Sequence, residues 1–256
     1  MIRSGSEGTV VRELDRFEDE LIERYEQHPV LANIALLPDE DFAAILLQRR
    51  FLSLAFTPAY DLAIDLLRDE TAVRIARVIL REEYPDVRGN TPSHREDMTQ
   101  DMLRLGVSRT DLVHTRPTAA TKKAIGDTFD LIADAGTHDD ADLRVLTILR
   151  FWGEILVSVE YGRLWERMEP LMAREGGYRS RFYLPHHVHD AKTRTLAAGG
   201  MLATAHPDRL ATRLREFLVS GGEGATDAFK EAEERSLRLK VSFYDQFLPA
   251  LDRVGI

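Results

Sequence analysis

Hydrophobic residues recur every three or four positions along nearly the whole chain. Near the amino terminus, Val10, Leu14, Phe17 and Leu21 fall on one side of a helix. No stretch alternates apolar and polar residues between hairpin signals, as a half-buried strand would. The pattern therefore predicts an all-α protein, with helices over about 9–27, 39–68, 70–83, 93–105, 119–135, 142–172, from 185 onward, 208–219 and 226–251.

Local signals mark several helix boundaries. Ser93 with Glu96 three residues later is typical of a capping box, and Gly106 is typical of a helix end. Pro58 is expected to kink the second helix or to divide it. The longest helix, 142–172, spans more than roughly 40 Å if it continues through its glycines.

The composition bounds the kind of protein. A chain of 256 residues with 44% hydrophobic and 30% charged residues is expected to form a single domain, residues 1–256. The absence of cysteine excludes disulfides, thiolate metal sites and a cysteine nucleophile. Any metal must therefore be held by histidines and carboxylates.

Charge and hydropathy argue against two further classes. The 43 acidic against 34 basic residues give a net charge of −9, which argues against binding to a nucleic-acid backbone. No apolar run approaches the roughly 18 residues of a membrane span, and the amino terminus lacks the apolar segment of a secretory signal. We therefore expect a cytoplasmic protein with no membrane and no nucleic-acid partner.

Glu160 breaks the hydrophobic pattern of the longest helix, since it falls on the apolar stripe. A buried carboxylate is unfavourable unless it is paired, protonated or bound to a metal. Two interpretations stay open: a metal ligand, or a salt bridge to Arg163 or to a neighbouring helix. Glu154, four residues after Arg150, has by contrast the spacing of an ordinary surface ion pair.

Two acidic residues close the third predicted helix, where the inner stripe reaches Glu82 or Glu83. Negative charge is unfavourable at a helix C-terminus, which favours a functional role for at least one of them. A solvated helix end is the alternative. His94 opens the next helix after a short loop, and by itself it would be an ordinary surface residue.

The densest chemical signal is a histidine cluster. On a helix, His186, His189, Asp190 and Thr193 would point to one side, and imidazoles with a carboxylate at this spacing suit iron or manganese. A chance cluster is the alternative. The remaining histidines have no partners nearby in sequence and are interpreted as loop or terminus residues: His28, His114, His138 and His206.

Taken in order, these places resemble the heme-oxygenase-like diiron oxidases and oxygenases. The resemblance rests on Glu83 before a loop, His94 opening the next helix, Glu160 in a long helix, and His186 followed four residues later by Asp190. It covers residues from about 80 to 200. It implies a heme-oxygenase-like bundle of about seven core helices.

The resemblance also implies a cofactor. In that family two iron ions lie between the helices, iron(II) reduces O2, and the resulting peroxo species N-oxygenates, desaturates or cleaves a bound amino acid or fatty acid. The implied activity here is that of a non-heme diiron oxidoreductase, an oxidase or oxygenase. Its implied iron ligands are Glu83, His94, Glu160, His186, Asp190 and His189.

One position departs from the family pattern. A second histidine usually follows the aspartate by three residues, but here that residue is Thr193, a poor iron ligand. His189 or His187 can supply the missing imidazole, substrate or water can fill the gap, or the protein can hold one metal instead of two. The second iron site is therefore the open point of the resemblance.

The implied substrate is a small amino-acid-like or carboxylate molecule. Arg179 and Arg181, in the loop before the histidine cluster, could clamp a carboxylate, although a solvated loop is the plainer interpretation. One of Arg49 and Arg50, in an apolar neighbourhood, is a candidate to face the pocket or to pair with Glu160. The family also suggests an external electron donor and a homodimer.

The missing histidine keeps two other interpretations open. Metal-free enzymes of the same fold, similar to thiaminase-type and pyrroloquinoline-quinone-synthase-type enzymes, would use Glu160, His186 and Asp190 as acid, base and hydrogen-bonding groups. A non-enzymatic scaffold would instead have its buried carboxylates fully paired with Arg and Lys and would lack an interior cavity.

Overall fold

The computed structural model describes residues 3–85, 88, 90–173, 179–196 and 205–255, with side chains from residue 8 onward. In these ranges the regular structure is helical, with no strand, as the hydrophobic pattern predicts. The elements are α1 (Arg3–Glu26), α2 (Pro29–Ala32), a 3-10 turn (Ile34–Leu36), α3 (Asp39–Leu66), α4 (Glu70–Glu82), α5 (His94–Arg104), α6 (Arg109–His114), α7 (Ala119–Thr137), α8 (Ala141–Ile148), a π-helical turn (Leu149–Ile155), α9 (Leu156–Ala173), α10 (Tyr183–His189), α11 (His206–Asp245) and α12 (Pro249–Asp252).

The helix α11 has the most neighbours in the bundle. It packs against α1, α4, α7, α8 and the π-helical turn, while α3 packs against α4 and α7. The helix α10, which carries the histidine cluster, lies on α9. One apolar core runs through these helices. Within the part of the chain that the structure describes, no helix is long and apolar enough to cross a membrane.

The helix α3 continues through Pro58 and is not divided there. A proline inside a helix removes one backbone hydrogen bond and clashes with the preceding turn. Here the helix is buried on both sides of the proline, at Leu52 and at Ala63, and packs on α4 and α7. Tertiary packing therefore holds the helix together across a residue that locally disfavours it.

The last two predicted helices, 208–219 and 226–251, form one helical run with a kink. The chain changes direction within α11 at Gly222, whose φ of 63° and ψ of −148° are not helical. Glycine adopts a positive φ of this kind without the steric cost that a Cβ atom would add.

The longest predicted helix follows one path but changes its winding at the centre. The helix α8 leads into the π-helical turn, and α9 follows directly. Hydrogen bonds in π winding run between residues i and i+5, so the following side chains are rotated relative to those of a regular α-helix. A period of 3.6 residues therefore cannot predict which side of this turn faces inward, and all seven of its residues are buried.

Candidate metal centre

Three side chains from three helices meet in a first group, the Glu83 triad of Glu83, His94 and His186. Glu83 is the C-cap residue of α4, His94 is the first residue of α5, and His186 lies in α10. One potential ligand atom of each lies within 4.8 Å of the others. The predicted capping box of Ser93 and Glu96 is present, and it fixes the start of α5 at His94.

The two imidazoles of the Glu83 triad have different environments. His94 Nδ1 lies 2.9 Å from Glu83 Oε1, and although burial opposes it, this carboxylate raises the pKa of His94. Burial, together with the charge of His94, lowers the pKa of His186 to about 4, so His186 is neutral at neutral pH. His186 Nδ1 lies 2.7 Å from the Phe182 carbonyl oxygen. That contact requires the Nδ1–H tautomer and leaves the lone pair on Nε2, as a metal ligand needs.

A second group, the Glu154 triad, comprises Glu154, Asp190 and His206. Glu154 lies in the π-helical turn, Asp190 is the C-cap residue of α10, and His206 is the first residue of α11. His206 Nδ1 lies 3.1 Å from Glu154 Oε2 and 3.3 Å from Asp190 Oδ1. Its Nε2 lies 3.0 Å from Glu82 Oε2. Tyr60 donates a hydrogen bond to Glu154 Oε1.

The Glu154 triad places two carboxyl groups and one imidazole together in the protein interior. Glu154 is 1% exposed and Asp190 is 3% exposed. Within the described ranges neither forms an ion pair with Lys or Arg, and His206 is their ionic partner. Burial and the charge of Glu154 raise the pKa of Asp190 well above its usual range. Burial alone would lower the pKa of His206, but hydrogen bonds to the surrounding carboxylates raise it to about 12.

Both triads line the same cavity, which has a volume of about 360 Å3. A largely apolar cavity with a few converging polar groups is typical of a small-molecule site. The cavity argues against the scaffold interpretation, which required none. Much of its wall is apolar or aromatic, from Leu52, Phe56, Ile79, Met98, Trp152, Val157 and Phe182.

The triads bring together four of the predicted ligands, namely Glu83, His94, His186 and Asp190. His189, by contrast, is exposed at the end of α10 and belongs to neither triad. Of the two acidic residues at the end of α4, Glu83 lies in the first triad, whereas Glu82 contacts His206 beside the second.

The structure corrects the expectation for Glu160. Its carboxylate is fully buried and pairs with Arg49 and Lys240, and it accepts a hydrogen bond from Tyr25. It belongs to neither triad. Although burial alone would raise the pKa of Glu160, the two cations hold it below its usual value. The alternative interpretation, a salt bridge to a neighbouring helix, is therefore the one that the structure supports, and Arg49 is the predicted partner.

The expectation for Arg179 and Arg181 is corrected as well. Both side chains are exposed, and neither lines the cavity. Their loop is held through Asp101, which accepts hydrogen bonds from the backbone N–H groups of Arg181 and Phe182 and from the hydroxyl of Ser180. The solvated-loop interpretation therefore applies to both arginines.

Sequence reasoning missed Glu154 and His206. The predicted partner of Glu154, Arg150, is fully buried and pairs with Glu18 instead, while the π-helical turn buries Glu154. His206 has no chemically matching neighbour in sequence and reaches the triad because α11 begins there and packs against α4. No local signal identifies His206 as part of a site.

Thr193 does not occupy the position that its spacing predicts. The helix α10 ends at His189, so Thr193 is not on its face. Thr193 is exposed, and its hydroxyl donates to Asp208 Oδ2 at 2.5 Å. The imidazole beside Asp190 comes from His206 at the start of α11 instead.

His187 holds α10 against α9. Ser158 Oγ donates to the His187 carbonyl oxygen at 2.7 Å, and His187 Nδ1 lies 3.0 Å from the Ser158 carbonyl oxygen. The imidazole lies so close to Gly162 that a Cβ atom there would come within 2.7 Å of it. His187 therefore has a positioning role for the helix that carries His186 and is not part of either triad.

No family model and no curated protein matches this chain. In structure it is similar to a CADD-like protein of unknown function from Nostoc punctiforme PCC 73102, with a TM-score of 0.64 at 10% identity over 98% of both chains. A TenA homologue from P. horikoshii OT3 gives a TM-score of 0.57 at 16% identity, over 94% of this chain and 99% of that one. A TenA family transcription regulator from Silicibacter sp. TM1040 gives 0.55 at 17% identity, over 93% and 96%. At these identities the similarity concerns the fold alone, and this chain has the predicted all-α, heme-oxygenase-like fold.

Proposed function

We propose that the chain is a non-heme iron, O2-dependent oxidase or oxygenase that acts on a small amino-acid-like or carboxylate substrate. One iron ion would be held by the Glu83 triad and a second by the Glu154 triad. In this assignment Glu154 replaces Glu160, and His206 supplies the imidazole that is absent at Thr193.

The two buried carboxyl groups of the Glu154 triad, which share one imidazole, carry the proposal. Glu154 and Asp190 are almost fully buried, and one imidazole is their ionic partner. Desolvated carboxylates are costly unless a cation neutralises them. Where this chain uses a buried carboxylate structurally, as at Glu160 or Glu18, it supplies an arginine and a lysine. Among the described side chains the Glu154 triad has neither an arginine nor a lysine partner, which suits a metal ion.

The chemistry of the donor atoms suits iron. Both triads offer imidazole nitrogens and carboxylate oxygens without thiolates, a combination that non-heme iron and manganese accept. Bound iron(II) would supply the electrons that reduce O2, which none of these side chains can do.

The surrounding residues prepare the site for that chemistry. The Phe182 carbonyl oxygen holds His186 in the tautomer with its lone pair on Nε2, and the Tyr60 hydroxyl orients Glu154. Trp152 and Phe56 belong to an apolar wall that limits the access of water to a bound substrate.

A metal-free enzyme of the same fold is the second candidate, and one observation favours it. Tyr60, Glu154, His206 and Glu82 form a continuous chain of hydrogen bonds without any added ion. Such a chain can position an acid and a base for proton transfer. In this alternative, activity would survive treatment with a chelator.

Counting bound iron distinguishes the two candidates. The full-length protein, purified without oxygen and loaded with iron(II), is expected to retain about two irons per chain, measured by inductively coupled plasma mass spectrometry. His206→Ala is expected to retain about one. His189→Ala is the matched control, because it removes a nearby histidine that belongs to neither triad. Adding Thr193→His to His206→Ala is not expected to restore the second iron, since Thr193 lies beyond the end of α10.

Two results would overturn the diiron proposal. One is a wild-type protein that binds no iron under these conditions. The other is an equal loss of iron in His189→Ala and in His206→Ala, because the second iron would then not depend on the Glu154 triad.

A further inference from the structure

Arg49 and Lys240, the two cations that pair with Glu160, lie on the wall of the cavity. Arg49 Nε lies 2.5 Å from Glu160 Oε2, and Lys240 Nζ lies 2.9 Å from Glu160 Oε1. The side chains of Arg49, Lys240 and Glu160 are 5%, 1% and 0% exposed. Arg49 and Lys240 line the cavity, whereas Glu160 does not. The positive members of the group therefore face the same space as the two triads.

The group of Arg49, Lys240 and Glu160 has two positive charges and one negative charge. Within the described ranges, Glu160 is the carboxylate with which Arg49 and Lys240 pair. The neighbouring hydroxyls do not compensate. Burial and the charge of Glu160 raise the pKa of Tyr25 well above its usual value, and burial raises that of Tyr161 to about 12, so both are neutral. Two buried cations thus share one carboxylate.

Lys240 shows the effect of the missing counter-charge. Burial and the charge of Arg49 outweigh the attraction of Glu160 and lower the pKa of Lys240 to about 8. An ammonium group has three N–H donors, and in the part of the chain that the structure describes it donates to one acceptor, Glu160 Oε1. Lys240 also lies 5.5 Å from the ring centre of Trp152, which lines the cavity. An anion in the cavity can accept another N–H and remove the charge excess.

We propose that Arg49 and Lys240 form the subsite that binds the carboxylate of the substrate, with the apolar wall of the cavity holding the rest of the molecule. The substrate class is a monocarboxylic acid with an apolar or aromatic body. The inference rests on the proposed function in calling this anion a substrate, but the subsite itself needs no metal. It replaces the exposed Arg179 and Arg181 as the carboxylate clamp.

Binding to the metal-free, full-length protein tests the subsite separately from the iron chemistry, because a carboxylate then has no iron to bind. The probes are hexanoate, octanoate, decanoate and phenylacetate, each paired with the primary alcohol of the same carbon skeleton, in isothermal titration calorimetry at neutral pH. At least one carboxylate is expected to bind, and its alcohol to bind on the order of tenfold more weakly or worse, because a charged hydrogen bond is lost.

Substitutions of Lys240 then locate the binding. Lys240→Met removes the excess charge and leaves the Arg49–Glu160 pair, so the protein is expected to fold, which circular dichroism checks. Its affinity for the carboxylate is expected to fall by on the order of tenfold or more, while its affinity for the alcohol stays unchanged. Lys240→Arg keeps the charge and is expected to keep carboxylate binding. The double variant Arg179→Gln with Arg181→Gln removes two exposed cations and is the control.

Several outcomes overturn the inference. They are that no carboxylate binds, that each carboxylate and its alcohol bind equally, that Lys240→Met binds the carboxylate as well as wild type, or that the Arg179 and Arg181 variant loses the affinity. The iron count is a separate readout. Carboxylate binding without iron binding would support the subsite and overturn the diiron proposal. Iron binding without carboxylate binding would support the diiron proposal and overturn the subsite.

Discussion

Glu154 and Glu160 lie in one continuous helical run and are both almost fully buried, but their surroundings are opposite. Glu160 is paired with Arg49 and Lys240. Glu154 is within reach of Asp190, another buried carboxylate, and its polar partners are a hydroxyl and an imidazole. The fold pairs Glu160 with an arginine and a lysine, whereas Glu154 and Asp190 share the single imidazole of His206.

Burial alone therefore does not identify a functional carboxylate. Glu18 is also fully buried, yet Arg150 and Lys192 outweigh the effect of burial and lower its pKa to about 2. Glu18 and Glu160 therefore belong to structural ion pairs. What sets Glu154 apart is the absence of such a partner among the described side chains. Two buried carboxylates that share a single imidazole can accept a metal cation as a further partner.

The largest expected effect on stability comes from removing the charge of Glu160, the carboxylate that pairs with Arg49 and Lys240. Glu160→Gln leaves Arg49 and Lys240 buried without a counter-charge, and breaking a buried pair from one side costs about 3–5 kcal/mol. We expect a loss of that size in the free energy of unfolding, measured by urea denaturation of the metal-free protein. Glu169→Gln, an exposed carboxylate of the same helix, should change stability by less than about 0.5 kcal/mol. Equal effects of the two substitutions would contradict the structural role of Glu160.

A smaller effect on stability, but a specific one on metal binding, is expected from Glu154→Gln. The amide can still accept the hydrogen bond of Tyr60, and His206 keeps Glu82 and Asp190 as carboxylate partners. Stability of the metal-free protein should therefore change by no more than about 1 kcal/mol. Bound iron should fall from about two per chain to about one, because a carboxylate ligand is lost. A large loss of stability with unchanged bound iron would contradict this assignment, because Glu154 would then have a structural role and would not be a metal ligand.

The sequence predicts the helices well because their apolar spacing is regular, and the family resemblance identifies the members of the Glu83 triad because their signals are local. Ser93 and Glu96 fix the start of α5 at His94, directly after the acidic end of α4. His186 lies on a short helix whose position in sequence is clear. Each of these residues can be recognised within a few positions of the signal that places it.

Two members of the Glu154 triad, Glu154 and His206, could not be predicted because their determinants are not local. The π-helical turn displaces the side chains around Glu154 from the regular period, so the stripe pointed to Glu160 instead. The end of α10 at His189 removes Thr193 from the helix face, and only the packing of α11 brings His206 to Asp190. Winding defects, helix ends and long-range packing are the features that periodicity does not record.

The smallest expected effect is a pH dependence of stability that arises from Lys240. Its folded pKa of about 8 lies below the ordinary 10.5. Between these values the unfolded chain binds a proton at Lys240 that the folded protein does not, so the free energy of unfolding contributed by Lys240 rises with pH. Below pH 8 the buried charge is present in full and opposes folding. The charged and titratable groups around it are Arg49 from α3, Glu160 and Tyr161 from α9, Tyr25 from α1 and Tyr244 from α11.

The expected result is a difference between wild type and Lys240→Met that changes with pH. Relative to the variant, wild type should gain about 1–3 kcal/mol of stability between pH 8 and pH 10.5, measured by urea unfolding across that range. Titration of the tyrosines in the unfolded chain is common to both proteins and cancels in the difference. A difference that stays flat would mean that Lys240 keeps an ordinary pKa, so that the surroundings of its ammonium group already offset the cost of burial. The ammonium group of Lys240 would then gain little from a substrate carboxylate, and the charges around Glu160 would be structural, as those around Glu18 are.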